Sequence, residues 1–155
     1  MIEVHPNLFV GSGADLPEDT DGWFIISAAK EPYHRDALGY TGRTAPKDHP
    51  EYLMARRDNR LILNLVDVAD PAYIRPELIG IALHDIGAEL AKGNKVLVHC
   101  NQGGSRAPGI ALMWLHRNGP YQAMSLDEAE THFKTIYPDY APAAGIRGYL
   151  DQNWK

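Results

Sequence analysis

The feature that most constrains the fold is a strand, a short loop and a helix that follow one another near residue 100. The segment from Lys95 to His99 is rich in β-branched residues, as buried strands are. Residues Ala107 to Asn118 have the composition and the length of a mostly buried helix, which Gly119 ends. This order of elements indicates an α/β fold.

Strands and helices also alternate in the rest of the chain. Short apolar runs between Gly, Pro and Asp residues predict three further strands, at Leu8–Val10, Trp23–Ile26 and Leu61–Val66. Apolar residues at helical spacing predict a helix that starts at Pro76 and stops at Gly93. A capping box that begins at Ser125 opens another helix, which runs through Ile136, and a short helix is predicted from Gly145 to Gln152.

The segment from Pro32 to Asn59 differs from its surroundings, since it is polar and contains several Gly and Pro residues that break regular structure. Within it, the run from Glu51 to Arg57 could form a short helix. The alternation of strands and helices on either side predicts a single domain over residues 1–155. We expect an α/β fold with a central, mostly parallel sheet flanked by helices.

Composition limits the partners and the setting of the protein. A chain of 155 residues suits one compact core. Its net charge of -5 argues against a broad surface for nucleic acid or anionic membranes, although it leaves room for a local basic pocket. No apolar stretch approaches the ~20 residues of a membrane helix. The chain has one cysteine, and its first residues, Met-Ile-Glu-Val, do not resemble a signal peptide. We therefore expect a reducing, cytoplasmic setting.

The loop from Cys100 to Arg106, with the sequence CNQGGSR, has the composition of an anion-binding site. A tight loop at a helix N-terminus turns successive backbone N–H groups inward, where they form a nest for an oxyanion of phosphate size. Gly103 and Gly104 allow the backbone to approach such a ligand closely. Arg106 would supply a bidentate guanidinium, and its positive field would hold Cys100 as the nucleophilic thiolate.

His99 and Cys100, followed by five residues and then Arg106, resemble the signature of the cysteine-dependent protein tyrosine phosphatases, nearest to the small dual-specificity group. The resemblance covers most of the chain. Three other segments are similar to the family's opening strand, its second strand and a helix after the signature: Val4 to Ser12, Ile26 to Ala29 and Met124 to Phe133. The segment from Pro32 to Asn59 departs from the family, because it is longer than the usual connection there.

The resemblance implies a phosphoprotein phosphatase that works through a phosphocysteine intermediate, with no metal and no organic cofactor. Cys100 would attack phosphorus, and Arg106 would bind phosphoryl oxygens. The loop residues that would share this binding are Asn101, Gln102, Gly103, Gly104 and Ser105. The substrate would be a phosphorylated protein or peptide, with phosphotyrosine as the default and phosphoserine or phosphothreonine as further candidates. The other histidines lack metal-ligand spacing, and sequence leaves the oligomeric state open.

The family also takes a general acid from an aspartate on a mobile loop upstream of the signature, and two residues are candidates. Asp70 lies 30 residues before Cys100, and Asp67 lies 33 residues before it. If the preceding strand extended through Val68, Asp70 would open the loop beside Pro71. That arrangement resembles the family better, so we favour Asp70 as the acid and keep Asp67 as the alternative.

Two residues next to the signature bear on the chemistry. His99 is expected to be buried and to orient the loop by hydrogen bonding, as in the family, rather than to act as a base. The position after the signature arginine commonly carries Ser or Thr, whose hydroxyl assists departure of the thiolate, but here it is Ala107. We therefore expect slow breakdown of the phosphocysteine, unless Ser105 partly replaces the missing hydroxyl.

Other functions remain open at this point. A pseudophosphatase would bind phosphorylated partners without turnover. A phosphoinositide or an RNA 5′-phosphate is a less favoured substrate, since the loop contains no lysine. A rhodanese-type sulfurtransferase also uses a cysteine loop, but the spacing to Arg106 and the upstream aspartates fit phosphatases better. Arg56, Arg57 and Arg60 could guide a phosphorylated ligand, but a solvated face is the favoured interpretation of such a cluster.

Overall fold

A computed structural model describes residues 1–155. The chain forms six strands and five helices. The strands are β1 (Ile2–His5), β2 (Leu8–Gly11), β3 (Trp23–Ser27), β4 (Met54–Arg57), β5 (Arg60–Leu63) and β6 (Lys95–His99). The helices are α1 (Arg35–Leu38), α2 (Pro76–Ala91), α3 (Arg106–Asn118), α4 (Leu126–Ile136) and α5 (Ala144–Asn153).

The strands form one sheet in the order β1-β2-β6-β3-β5-β4. The inner strands are parallel, and the edge strands β1 and β4 run antiparallel to their neighbours. In the middle, Val98 of β6 pairs with Val10 on one side and Ile26 on the other. A strand covered on both faces is a continuous apolar run, and Val96 to His99 are buried accordingly. The predicted α/β fold with a mostly parallel sheet flanked by helices is confirmed.

Helix α3 is the centre of the helical layer. Its residues from Ala107 to His116 are all buried, because α3 contacts β2 and β6 and is covered by α2, α4 and α5. The start signals read from sequence are confirmed: Pro76 is the first residue of α2, and Ser125 and Glu128 form a reciprocal capping box before α4. None of the helices is both long and apolar enough to cross a membrane.

The short helix considered for residues 51–57 is wrong. Residues Met54–Arg57 form the edge strand β4, which pairs antiparallel with β5. The two strands are joined by a tight turn in which Asp58 takes a positive φ of 47°, a conformation that Asp tolerates better than most residues. Pairing with a neighbouring strand therefore overrides the local sequence preference here.

The strand predicted from Leu61 to Val66 is shorter than expected, because β5 ends at Leu63. Asn64 donates its backbone N–H to the Leu53 carbonyl and its side-chain N–H to the Tyr52 carbonyl. The bond to Leu53 continues the register of β4 with β5, whereas the parallel ladder of β5 with β3 ends at Ile62. The following residues thus cross over the carboxyl ends of the central strands.

Candidate functional site

The loop after β6 lies at the carboxyl end of the central strands and at the N-terminus of α3. A cavity of about 440 Å³ opens over it. The residues that line this cavity are Asp67, Cys100, Asn101, Gln102, Gly104, Ser105, Arg106, Asp139 and Ala141. Cys100 is only 3% exposed, so it lies at the bottom of the cavity and not on its rim. The structure thus brings together the predicted loop residues, with Gly103 placed behind the cavity wall.

The backbone of the loop is arranged for an anion. None of the N–H groups of residues 101–105 donates a hydrogen bond within the protein. Three loop carbonyls, in contrast, accept from groups outside the loop: Asn101 from the Gly13 N–H at 3.2 Å, Gly103 from the Tyr137 hydroxyl at 2.7 Å, and Gly104 from the Ala141 N–H at 2.8 Å. Buried backbone N–H groups rarely lack an acceptor in folded proteins, and Gly103 and Ser105 are buried residues of this loop. The loop therefore offers a set of free donors to a bound oxyanion.

The Arg106 guanidinium is held from two sides. Its Nη1 donates to the Leu65 carbonyl at 3.0 Å, and its Nη2 donates to the side-chain oxygen of Asn101 at 2.6 Å. Its Nε is buried and has no partner in the protein, a situation that costs about 1–3 kcal/mol unless a ligand accepts the bond. Arg106 thus adds one charged, oriented donor to the free N–H groups of the loop.

Tyr137 braces the loop from behind. Its hydroxyl donates to the Gly103 carbonyl, and burial, with a smaller contribution from the charge of Cys100, raises the pKa of Tyr137 to about 12. The hydroxyl therefore keeps its proton at neutral pH and remains a donor. Gly103 meets it with a positive φ of 81°, a conformation that glycine adopts without a steric cost.

Replacing Gly103 by alanine should lower the free energy of unfolding by about 1–3 kcal/mol, the usual cost of a strained backbone. An added Cβ would stand 2.8 Å from the Tyr137 hydroxyl and 3.0 Å from the backbone of Gly11. The matched control is Gly104→Ala, whose Cβ would lie at an ordinary 3.6 Å from the Asp139 carbonyl. Urea unfolding of both variants measures the difference, and equal losses would contradict this account of the loop.

His99 is buried, as predicted. Its Nδ1 lies 3.1 Å from the Cys100 carbonyl oxygen, and its Nε2 lies 2.7 Å from the Ser27 hydroxyl. Burial lowers the pKa of His99 to about 4, so the ring is neutral at pH 7. Since His99 contacts Cys100 through the backbone carbonyl, it is placed to orient the start of the loop.

The structure separates the two candidate acids. Asp67 lines the cavity, and its Oδ1 accepts a hydrogen bond from the Ser105 hydroxyl at 3.1 Å. Asp70 is absent from the cavity lining, and its carboxylate caps the turn Pro71–Tyr73 by accepting from the Ala72 N–H at 2.9 Å. The positions of the two aspartates differ because β5 ends at Leu63. Asp67 therefore lies in the segment that crosses the cavity. Of the two candidates, Asp67 alone lines the cavity.

The hydroxyl of Ser105 is engaged away from the nucleophile. It donates to Asp67 and accepts from the Ala143 N–H at 2.9 Å. Its proton is therefore given to a carboxylate and is not offered to Cys100. Ala107 is fully buried and brings no polar group, so nothing in this arrangement replaces the hydroxyl expected at that position.

The segment between α4 and α5 also reaches the site, although no sequence pattern predicted it there. Asp139 and Ala141 line the cavity, and Tyr137 braces the loop. The only local signal is the Tyr-Pro-Asp sequence that ends a helix. This sequence predicts a turn, but it does not predict where in the fold the turn lies. Tertiary packing of α4 on α3 places this segment over Gly104.

The three clustered arginines do not form one surface at the cavity. Arg56 pairs with Asp85 at 2.8 Å, and Arg57 pairs with Glu51 at 2.9 Å. Arg60 instead donates its Nε–H to the Ser27 hydroxyl. A ligand-guiding role for the cluster as a whole therefore has no support in the structure.

No protein-family model and no curated protein sequence matches the chain. Solved structures match over almost its whole length. The human tyrosine phosphatase-like serine/threonine/tyrosine-interacting protein is 21% identical with a TM-score of 0.66, and the match covers 98% of this chain and 93% of that one. Human DUSP28 is 20% identical with a TM-score of 0.65, covering 98% and 94% of the two chains. DUSP15 is 19% identical with a TM-score of 0.68, covering 98% and 85%. The chain therefore has the dual-specificity phosphatase-like fold, as the resemblance implied.

Proposed function

We propose that this chain, with its dual-specificity phosphatase-like fold, is a cysteine-dependent phosphatase of phosphorylated proteins or peptides. Phosphotyrosine is the favoured substrate, and phosphoserine and phosphothreonine are further candidates. One observation carries the proposal: the loop that follows Cys100 holds a set of hydrogen-bond donors without partners. These donors are the backbone N–H groups of residues 101–105 and the Nε of Arg106. Donors in this number and arrangement suit the tetrahedral oxygens of a phosphoryl group.

The proposed reaction has two steps and uses no metal. In the first, the Cys100 thiolate attacks phosphorus, an S–P bond forms, and the ester P–O bond breaks while a carboxylic acid protonates the leaving oxygen. In the second, water attacks phosphorus and the S–P bond breaks. The same carboxylate takes the proton of that water, so that phosphate, thiolate and acid are restored. Arg106 and the loop N–H groups bind the equatorial oxygens throughout.

We assign the acid to Asp67, because it lines the cavity whereas Asp70 caps its own turn. Ser105 supports this assignment, since its hydroxyl holds one oxygen of Asp67 beside the loop. The other oxygen of Asp67 has no protein partner and is available to carry the proton. The preference for Asp70 depended on a longer strand β5 than the one observed.

Asp67→Asn should lower kcat/KM for a phosphotyrosine peptide by about 10²–10³-fold, because the amide cannot protonate the leaving oxygen. Asp70→Asn is the matched control and should leave the rate nearly unchanged. Steady-state kinetics with the same peptide measures both variants. The reverse order of effects would return the role to Asp70.

The charge of the cavity favours protein substrates with a single phosphate. Its lining holds one guanidinium, Arg106, against the two carboxylates of Asp67 and Asp139. Neither carboxylate has an ion-pair partner. Ligands with several phosphates, such as phosphoinositides, would meet these carboxylates and lose affinity.

The first test is hydrolysis of phosphotyrosine, phosphoserine and phosphothreonine peptides with EDTA and a thiol reductant present. We expect turnover that EDTA does not reduce, with phosphotyrosine hydrolysed fastest. A reductant is needed because oxidation of Cys100 removes the nucleophile, and for the same reason we propose a reducing, cytoplasmic setting.

A phosphate-binding module without turnover is the second candidate, and Ala107 is the observation that favours it. Because no hydroxyl assists departure of the thiolate, hydrolysis of the phosphocysteine could be so slow that turnover stops after one phosphoryl transfer. Tight binding of a phosphopeptide by the wild-type protein, with no release of phosphate, would select this candidate.

A further inference from the structure

Three hydrogen bonds lead from Arg60 to the backbone of Cys100. The Nε–H of Arg60 lies 2.8 Å from the Ser27 hydroxyl oxygen. That hydroxyl is 2.7 Å from Nε2 of His99, and Nδ1 of His99 is 3.1 Å from the Cys100 carbonyl oxygen. Ser27 and His99 are fully buried. The two inner groups of this chain of bonds are therefore shielded from water.

The direction of this chain is determined by its two ends. An arginine Nε can only donate, and a carbonyl oxygen can only accept. The bond to the Cys100 carbonyl requires a proton on Nδ1 of His99. Because burial lowers the pKa of His99 to about 4, the ring is neutral at pH 7 and Nε2 is an acceptor. Ser27 accepts from Arg60 and donates its own proton to Nε2, so every group in the chain is satisfied.

Arg60 reaches this position as an unpaired cation. No carboxylate lies within 4.0 Å of its guanidinium. Its Cζ lies 5.4 Å from the centre of the Tyr33 ring, which in turn contacts His99 edge-on at 4.8 Å. The other charged group that acts on His99 is Asp15, in the turn after β2, whose influence opposes that of Arg60. A half-buried cation with no counter-charge lowers the stability of the folded protein, which suggests that Arg60 has a role other than pairing.

We propose that Arg60 is a positioning residue for the nucleophile: through Ser27 it fixes the Nδ1–H tautomer of His99, and through His99 it fixes the Cys100 carbonyl and the start of the loop. Its charge also adds to the positive field at the Cys100 thiolate. This role rests on the proposed function, because it prepares Cys100 for attack. Arg60 itself touches neither the cavity nor a reacting atom.

The tautomer of His99 can be observed without any turnover. In ¹⁵N–¹H spectra of the imidazole rings, with the His99 signals assigned by their loss in His99→Asn, the wild-type protein should show a proton on Nδ1. Arg60→Met and Ser27→Ala should each give a mixture of Nδ1–H and Nε2–H forms. Arg57→Met, which removes the neighbouring arginine of the same hairpin, should leave the spectrum unchanged.

The reactivity of Cys100 provides the second measurement, since the chain contains no other cysteine. Iodoacetamide reacts with the thiolate, so alkylation should slow about three- to tenfold in Arg60→Met, as expected for loss of a unit positive charge that acts on the thiolate through the protein. Arg60→Lys keeps the charge and should recover part of the rate. Arg57→Met should alkylate like the wild type.

The outcomes separate this inference from the proposed function. A single unchanged tautomer and unchanged alkylation in folded Arg60→Met and Ser27→Ala would overturn the positioning role, whatever the phosphatase activity. Altered tautomer and alkylation in a protein that hydrolyses no phosphopeptide would keep the positioning role and reject the phosphatase. If Arg60→Met fails to fold, Ser27→Ala and Arg60→Lys carry the same measurements.

Discussion

Cys100→Ser should abolish hydrolysis of a phosphotyrosine peptide, with a loss of about 10⁴-fold or more, as expected when the nucleophile of a covalent mechanism is removed. A serine hydroxyl is not ionised at neutral pH and cannot replace a thiolate in attacking phosphorus. Because Cys100 is the only cysteine in the chain, no other thiol can take over. The loss should appear in kcat, measured with EDTA and reductant present.

Binding provides the control for this variant. The donors of the oxyanion site belong to the backbone of residues 101–105 and to Arg106, so Cys100→Ser should still bind tungstate or phosphate and should unfold at the wild-type temperature. Substantial turnover in the folded serine variant would show that Cys100 is not the nucleophile.

Arg106→Lys should lower kcat/KM for the same peptide by about 10³-fold, because a positioned charge that stabilises the transition state is lost. The arginine holds the Leu65 carbonyl and the Asn101 side chain with its two Nη atoms while Nε stays free. A lysine ammonium has the charge but not the planar fork, so it cannot make these three contacts together.

The matched control is Arg57→Lys, since Arg57 is exposed and pairs with Glu51 away from the cavity. It should keep the wild-type kcat/KM. Arg106→Lys should also weaken phosphate binding, because the same donor serves ground state and transition state. If Arg106→Lys retained nearly full activity, the guanidinium would have no part in binding the phosphoryl group.

The parts of the fold that sequence could predict are those determined by local physical chemistry. The apolar run of β6 requires cover on both faces. Pro76 marks a helix start because its missing N–H is not needed in the first turn, and Ser125 marks one because its side chain accepts a free N–H of the first turn. The cluster of free donors in the loop could be predicted as well, because Gly103, Arg106 and the helix N-terminus lie within a few residues of each other, and its binding of an anion stays a prediction.

The general acid could not be predicted in the same way. Asp67 and Asp70 are three residues apart, and the choice between them depends on where β5 ends. The predicted strand runs to Val66, whereas β5 ends at Leu63, and the next residue, Asn64, bonds to Tyr52 and Leu53, which belong to the polar segment that sequence patterns describe least. This difference of three residues underlies the proposal of Asp67 in place of Asp70.

Long-range contacts also remained hidden. Asp139 and Tyr137 reach the loop because α4 packs on α3, and Arg60 reaches His99 because β5 and β6 flank β3. The sequence suggested a solvated cluster for Arg60, since neighbouring arginines usually face water. Only the tertiary structure places one of the three against the buried Ser27 hydroxyl.

The most direct test of the central claim is a search for the phosphocysteine itself. Wild-type protein mixed with excess phosphotyrosine peptide and quenched within milliseconds should show an initial burst of dephosphorylated peptide and, by intact mass, one phosphoryl group localised to Cys100. Ala107→Ser should lower the trapped fraction by speeding the second step, and Cys100→Ser should trap none. Steady turnover with neither a burst nor a phosphorylated Cys100, or binding with no phosphoryl transfer at all, would contradict the account.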